Sequence, residues 1–254
     1  MLVWQRVHRR LARQTEALRE HLFWWRRGLP HGWDPGVDID RRLVRTTVRV
    51  IVDVGANRGQ SARRFRKAFP EASLHCLEPG PSAFAELKRS VGDWPNVFVH
   101  QLALGASAGA GSLDDRADDM ARVAATGSAE GGASVTIDTL DAFARRAGLA
   151  TIDYLKIDTE GGDADVLRGG ADLLDRSAVA IIDVEVGMNP DNGLHRPMAE
   201  ILSLLEPRGY RLFGVYEQTL EWPTADAYLR RANLVIVSPK TIRANRWPAA
   251  VETT

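Results

Sequence analysis

Arg49-Val-Ile-Val-Asp-Val-Gly-Ala-Asn-Arg-Gly-Gln60 is where the fold of this chain is decided. The branched apolar residues Val50, Ile51, Val52 and Val54 predict a buried parallel strand. The strand ends in an acid and a Gly-x-x-x-Gly turn, Gly55 to Gly59, and a helix is expected from Ser61 to Phe69. Glycine permits a tight turn and lets backbone approach a ligand closely, while the first amides of the next helix point outward unsatisfied. A nucleotide-like ligand is therefore expected outside the carboxyl end of this first strand.

Outward from that stretch, strands alternate with helices. After the first helix come strand Ser73–Leu77, helix Ser82–Val91 and strand Val97–Ala103. A second series follows: helix Leu140–Ala147, strand Tyr154–Ile157, helix Asp163–Leu174, strand Val179–Val186 and helix Pro197–Arg208. Strands Tyr210–Tyr216 and Leu234–Ser238 close the pattern. This alternation predicts an α/β fold with a mostly parallel sheet covered on both faces. The Gly-, Ala-, Ser- and Asp-rich stretch 105–132 is expected as an excursion, long for a loop, with a short hairpin near Gly111–Leu113. The domain reading is a helical extension over 1–32, one α/β domain over 33–240 and a tail over 241–254 with no strong pattern.

Composition bounds the function. Lys+Arg and Asp+Glu both number 33, so no charge imbalance points to nucleic acid. The single cysteine, Cys76, sits in an apolar stretch and reads as a buried thiol, which fits a reducing, cytoplasmic setting. No apolar run approaches the roughly 18 residues of a transmembrane segment, and arginines interrupt any signal-peptide core near the start. Residues 1–30 carry seven arginines against Glu16 and Glu20, a net +5, with apolar residues at helical spacing. Such a basic amphipathic helix can meet a membrane surface or a partner. It can equally pack over the core or against a second copy in a homodimer, and this plainer use is preferred.

Glu78 ends the second strand, 23 residues after Gly55, near the offset at which a dinucleotide site places its ribose-binding acid. The loop lacks the Gly-x-Gly-x-x-Gly spacing of a pyrophosphate site. Asp53 before it would repel phosphates and attract a cation. A nucleoside carrying positive charge fits better than NAD or FAD, and S-adenosylmethionine is such a ligand. In the third strand Gln101 or Leu102 could touch the adenine, and Ala103 leaves room for it. Farther on, Asp158 is delivered to a strand end across the switch point, with Glu160 beside it. Lys156 lies inside that strand, where an internal ion pair is expected.

Val52-Asp-Val-Gly-Ala-Asn-Arg-Gly59, Glu78-Pro79, Thr139-Leu-Asp141 and Leu155-Lys-Ile-Asp-Thr-Glu-Gly161 together resemble the FkbM-type methyltransferases over about residues 33–238. The resemblance implies a Rossmann-like class I methyltransferase with a seven-stranded sheet, its last strand antiparallel. It also implies S-adenosylmethionine as donor and methylation of a hydroxyl on a small molecule, a saccharide first and a polyketide or glycolipid glycan behind it. Gly55, Asn57 and Gly59 would embrace the amino-acid part of the donor, Asp53 would support that loop and Glu78 would hold the ribose. Asp163 stands where the family commonly has a second glutamate.

The fifth strand places Asp183 and Glu185 on one face. Glu185 with Asp158 could bind Mg²⁺, which would hold and acidify sugar hydroxyls, or the two could hydrogen-bond the acceptor directly. His195, in the loop after this strand, is the candidate general base. His75 and His100 read as packing residues. Two rival readings remain: an NAD-type oxidoreductase on a similar sheet, and a non-catalytic donor-binding protein held at a membrane or partner through residues 1–30.

Overall fold

The structure is a computed structural model that describes residues 31–113, 123–125, 133–189 and 192–246. The expected helix within 1–30, most of the 105–132 excursion and the end of the tail lie outside these residues.

Five strands run parallel: β1 (Val50–Val54), β2 (Ser73–Leu77), β3 (Val97–His100), β8 (Ile152–Ile157) and β9 (Val179–Gly187). Two more, β10 (Arg211–Leu220) and β11 (Leu229–Val237), complete a seven-stranded sheet in the order β10-β11-β9-β8-β1-β2-β3. β11 is antiparallel to both of its neighbours, as expected for the last strand. The order reverses between β1 and β8, and that switch point opens the ligand cleft.

Side-chain alternation sorts the sheet's two faces. Val52, Val54, Leu155, Ile157, Ile182 and Val184 pack under four helices: α4 (Leu140–Arg146), α5 (Asp163–Arg168), α6 (Ala171–Asp175) and α7 (Met198–Leu205). Ile51, Leu74, Cys76, Ile181 and Val235 meet α1 (Pro35–Arg42), α2 (Gln60–Ala68), α3 (Pro81–Val91) and α8 (Pro239–Ala244) on the other. Cys76 is buried and its thiol pKa is raised, first by burial and then by Asp53.

Four local expectations are corrected. On the sequence pattern Gly28–Gly36 is a connector and Asp40–Thr47 a lead-in to the first strand, whereas Pro35–Arg42 form α1, capped where the Val37 amide donates to Asp34. The single helix expected over 163–174 is two, because the chain at Gly169-Gly170 is crossed closely by its neighbours. A Cβ at Gly169 would lie 2.1 Å from the Gly105 carbonyl oxygen, and one at Gly170 2.7 Å from Leu140. Asp141 then caps α6, accepting from the amides of Asp172 and Leu173 at 3.0 Å each. The start of the tail, read without pattern from residue 241, belongs to α8, which begins at Pro239 and is capped by Ser238.

The fourth correction is the largest. The strand expected over Val97–Ala103 breaks after His100, and β4 (Ala103–Leu104) leaves for a second sheet. This sheet also contains β5 (Gly109–Leu113), β6 (Val123–Ala125) and β7 (Ala133–Asp138), in the order β4-β7-β5-β6. The expected hairpin near Gly111 is thus one edge of a four-stranded sheet that borders the cleft through Leu104, Leu113 and Ile137.

Candidate active site

The cleft has a volume of about 710 Å³ and lies along the carboxyl ends of β1, β2 and β8 and the amino end of the antiparallel β11. Its donor half is built on the turn after β1. Gly55 has φ +81°, and a Cβ there would sit 1.8 Å from the Asp158 carbonyl oxygen, so only glycine fits. Asn57 also takes positive φ, 46°, and its amide donates to Glu78 Oε2 at 3.0 Å. Glu78 Oε1 accepts from the Gly80 amide at 2.8 Å, so two backbone bonds fix this carboxylate at the cleft wall. Asn57 Oδ1 is buried with no hydrogen-bond partner among the described residues.

These features fit S-adenosylmethionine. A fixed carboxylate meets the requirement of a ribose diol, the orphaned amide oxygen can take a donor, and a glycine turn opens the backbone to the ligand. Ala103 and Leu102 line the wall where the adenine was expected. Gln101 does not: it is exposed, in the break between β3 and β4, outside the lining.

Two other donor-side residues act from behind. Asp53 is fully buried beneath the loop and accepts the Ser61 hydroxyl, and burial raises its pKa against the pull of Lys156. Gly59 lies at the start of α2 with φ +89°, where a Cβ would meet Val91 and Leu87 of α3 at 3.2 and 3.3 Å. Both shape the loop, and neither lines the cleft.

The acceptor half gathers acids at the ends of β8 and β9. Lys156 Nζ donates to Asp158 at 2.8 Å, the internal pair expected of that lysine. Burial opposes the lysine's charge, but Asp158, Asp53 and Asp183 raise its pKa overall. Glu160 takes φ +52° in the following turn and lines the cleft half-buried; burial first, then Asp158, raises its pKa. Asp163 orders this turn, accepting from the Thr159 amide and hydroxyl at 3.0 Å each and from the Gly161 amide at 3.3 Å.

Glu185 and His195 are brought together just behind this surface. His195 Nε2 lies 2.7 Å from Glu185 Oε2 and 3.9 Å from Glu160 Oε2. The histidine is 8% exposed and does not line the cleft. Its Nδ1 faces Asn192 Nδ2 at 3.0 Å, and that amide also donates to the Arg230 carbonyl. Both ring nitrogens are thereby committed.

One oxygen from each of Asp158, Glu160 and Glu185 falls within 4.8 Å of the others, enough carboxylates for a divalent cation. Partners already stand on two of them, the cation Lys156 on Asp158, and the cation Arg231 together with the His195 ring on Glu185. The donor set therefore does not fit Mg²⁺ as arranged, since a metal would have to displace these groups. Arg231, Glu217 and Arg196 also line the cleft, with Arg196 Nε donating to the Gly161 carbonyl at 2.7 Å. None was anticipated, because strand pairing and a loop bring them in from distant sequence.

This sheet order, the glycine turn after β1 and the acid ending β2 define a class I, S-adenosylmethionine-dependent methyltransferase. The protein-family model described as Methyltransferase FkbM domain matches residues 53–212, and the chain belongs to that family. The 2-O-methyltransferase NoeI of Sinorhizobium fredii (strain NBRC 101917 / NGR234) is 30% identical over 210 residues, covering 73% of this chain and 80% of that relative. Methyltransferase 1 of Beauveria bassiana (strain ARSEF 2860) is 25% identical over 203 residues, covering 69% and 76%. Among solved structures, a methyltransferase FkbM from Methylobacillus flagellatus KT aligns with a TM-score of 0.48 at 15% identity. That alignment covers 74% of this chain and 44% of the other, longer one.

Among the described residues no helix is long and apolar enough to cross a membrane.

Proposed function

We propose that this O-methyltransferase acts on a hydroxyl of a small saccharide, with Glu160 accepting the hydroxyl proton. The observation that carries this reading is the acceptor end of the cleft, where Asp158, Glu160 and Arg231 offer hydrogen-bonding groups in place of an apolar wall. The relative named a 2-O-methyltransferase adds support for a hydroxyl oxygen as the acceptor atom.

When bound, the donor supplies an electrophilic methyl group on a sulfonium. Gly55 and Asn57 would hold its amino-acid end and Glu78 its ribose. The remaining work of the chain is alignment and deprotonation. Asp158, kept ionised by Lys156 against its burial, accepts a hydrogen bond from the acceptor. Glu160 combines a place in the cleft wall with a raised pKa, the properties of a general base. His195 lies behind it with both nitrogens engaged and serves as a positioning residue for Glu185 and Glu160.

Transfer of labelled methyl from S-adenosylmethionine to a panel of mono- and oligosaccharides, polyketide alcohols and phenols tests the reading. Incorporation into sugar hydroxyls, unchanged by EDTA, is expected. Transfer confined to non-sugar alcohols overturns the saccharide assignment, and activity lost in EDTA and restored by Mg²⁺ overturns the metal-independent account of the acid cluster.

A further inference from the structure

The hairpin joining β10 and β11 rises beyond the carboxyl edge of the sheet, next to the acceptor end of the cleft. Arg231, which lines the cleft, pairs with Gly187 at the end of β9. Leu220 pairs with Leu229 beyond that point, and the Glu221 amide donates to the Tyr228 carbonyl at 2.9 Å. At about 3.3 Å per residue, Trp222 stands roughly 10 Å past the Arg231 level. Leu220, Trp222 and Tyr228 are 59%, 58% and 44% exposed there.

The tryptophan is held from behind. The Arg230 guanidinium lies 4.7 Å from its ring centroid and bonds both oxygens of Glu221, at 2.9 and 3.1 Å. Glu221 is 3% exposed and accepts a further bond from Asn189 Nδ2 at 3.1 Å. The Arg230 carbonyl accepts from the Met188 amide and from Asn192 Nδ2, both at 3.0 Å, and Asn192 reaches His195. One face of the indole is thus clamped by Arg230, paired with a buried glutamate and continuous with the acceptor loop, while the residue as a whole stays exposed. An aromatic side chain fixed in this way loses little entropy on binding.

We infer that Trp222 is the platform of a second sugar subsite, taking a saccharide unit of the acceptor beyond the one that is methylated. The inference rests on the saccharide reading above. A pyranose presents a flat face of C–H groups that stacks on an indole, and its hydroxyl edge can meet Asn189 and the Tyr228 hydroxyl. The patch does not suit an anionic membrane. Arg230 is neutralised by Glu221, and the hairpin's tip carries Asp226, bonded to the Thr224 and Tyr228 hydroxyls at 2.6 and 3.2 Å.

The test uses the full chain loaded with S-adenosylhomocysteine on a glycan array, comparing wild type, Trp222→Ala and Trp222→Phe, with S-adenosylhomocysteine affinity by calorimetry as the check on folding. Oligosaccharide binding about tenfold weaker in Trp222→Ala, largely kept in Trp222→Phe, with unchanged S-adenosylhomocysteine affinity, is expected. Equal binding by wild type and Trp222→Ala overturns the subsite and leaves the saccharide reading standing. An array on which the wild type binds no glycan removes the saccharide reading, and the subsite with it.

Discussion

Asp53 and Glu160 are both acids whose pKa is raised mainly by burial, but only Glu160 meets the cleft. Asp53 spends its carboxylate beneath the glycine loop, on the Ser61 hydroxyl. A base must be ionised to work, so kcat should fall as pH drops through the Glu160 pKa. Because that pKa is raised, the fall begins at higher pH than for an ordinary carboxylate. Replacing Glu160 with Gln should lower kcat on the order of 100-fold, remove this acid limb and leave the affinity for S-adenosylhomocysteine unchanged. Pre-steady-state methyl transfer across pH 4–9 measures both effects, and an unchanged acid limb would return the base role to another group. At this scale the sequence was legible in placing an acid at its own strand end on the cleft wall, as with Glu78 and Asp158. It did not reveal the orientation of His195, whose chain position suggests a base. Its ring is in fact turned to Glu185 and Asn192, an orientation set by tertiary partners.

Among the elements, the β2–β3 pair carries a stacked set of rings that ties stability to pH. His75 is 7% exposed, stacked on Phe98 with centroids 4.8 Å apart, and its Nδ1 lies 3.2 Å from His100 Nε2. Burial, then His100, lowers its pKa from 6.5 to about 4. The unfolded chain therefore takes up a proton that the folded chain refuses over that interval. Stability held above pH 6.5 should be lost on acidification towards pH 4, at up to about 1.4 kcal/mol per pH unit. His75→Phe keeps the stacking and removes the proton site, so its melting temperature should decline less steeply over this range. Parallel slopes for variant and wild type in differential scanning calorimetry would refute the linkage. Both histidines read as packing residues from their strand positions, and here the sequence sufficed. The break at Gly169-Gly170 and the four-stranded second sheet were less legible. The first depends on what crosses the helix there; in the second only β7 alternates apolar with polar residues, from Ala133 to Asp138, while β4, β5 and β6 are short and rich in Gly and Ala.

For the whole molecule, binding in the switch-point cleft should stabilise the fold by mass action. S-adenosylhomocysteine at a hundredfold excess over its Kd adds about 2.7 kcal/mol, which for a domain of this size raises Tm by roughly 5 to 10 °C. NAD at the same concentration should leave Tm unchanged, because the loop lacks pyrophosphate spacing and Asp53 lies beneath it. A rise with NAD alone would overturn the donor assignment. What the sequence by itself determined is the parallel sheet, its glycine turn and the two acids at the ends of β2 and β8. Each of these follows from a local run of apolar residues, a backbone need for glycine or a position at a strand end. The tertiary structure alone decided which groups share the acceptor end. Antiparallel insertion of β11 beside β9 carries Arg231 onto Glu185 and sets Trp222 beyond the cleft. The loop between Gly187 and Pro197 turns His195 away from the cleft surface. Such juxtapositions come from strand order and register between distant segments, which no local pattern of residues encodes.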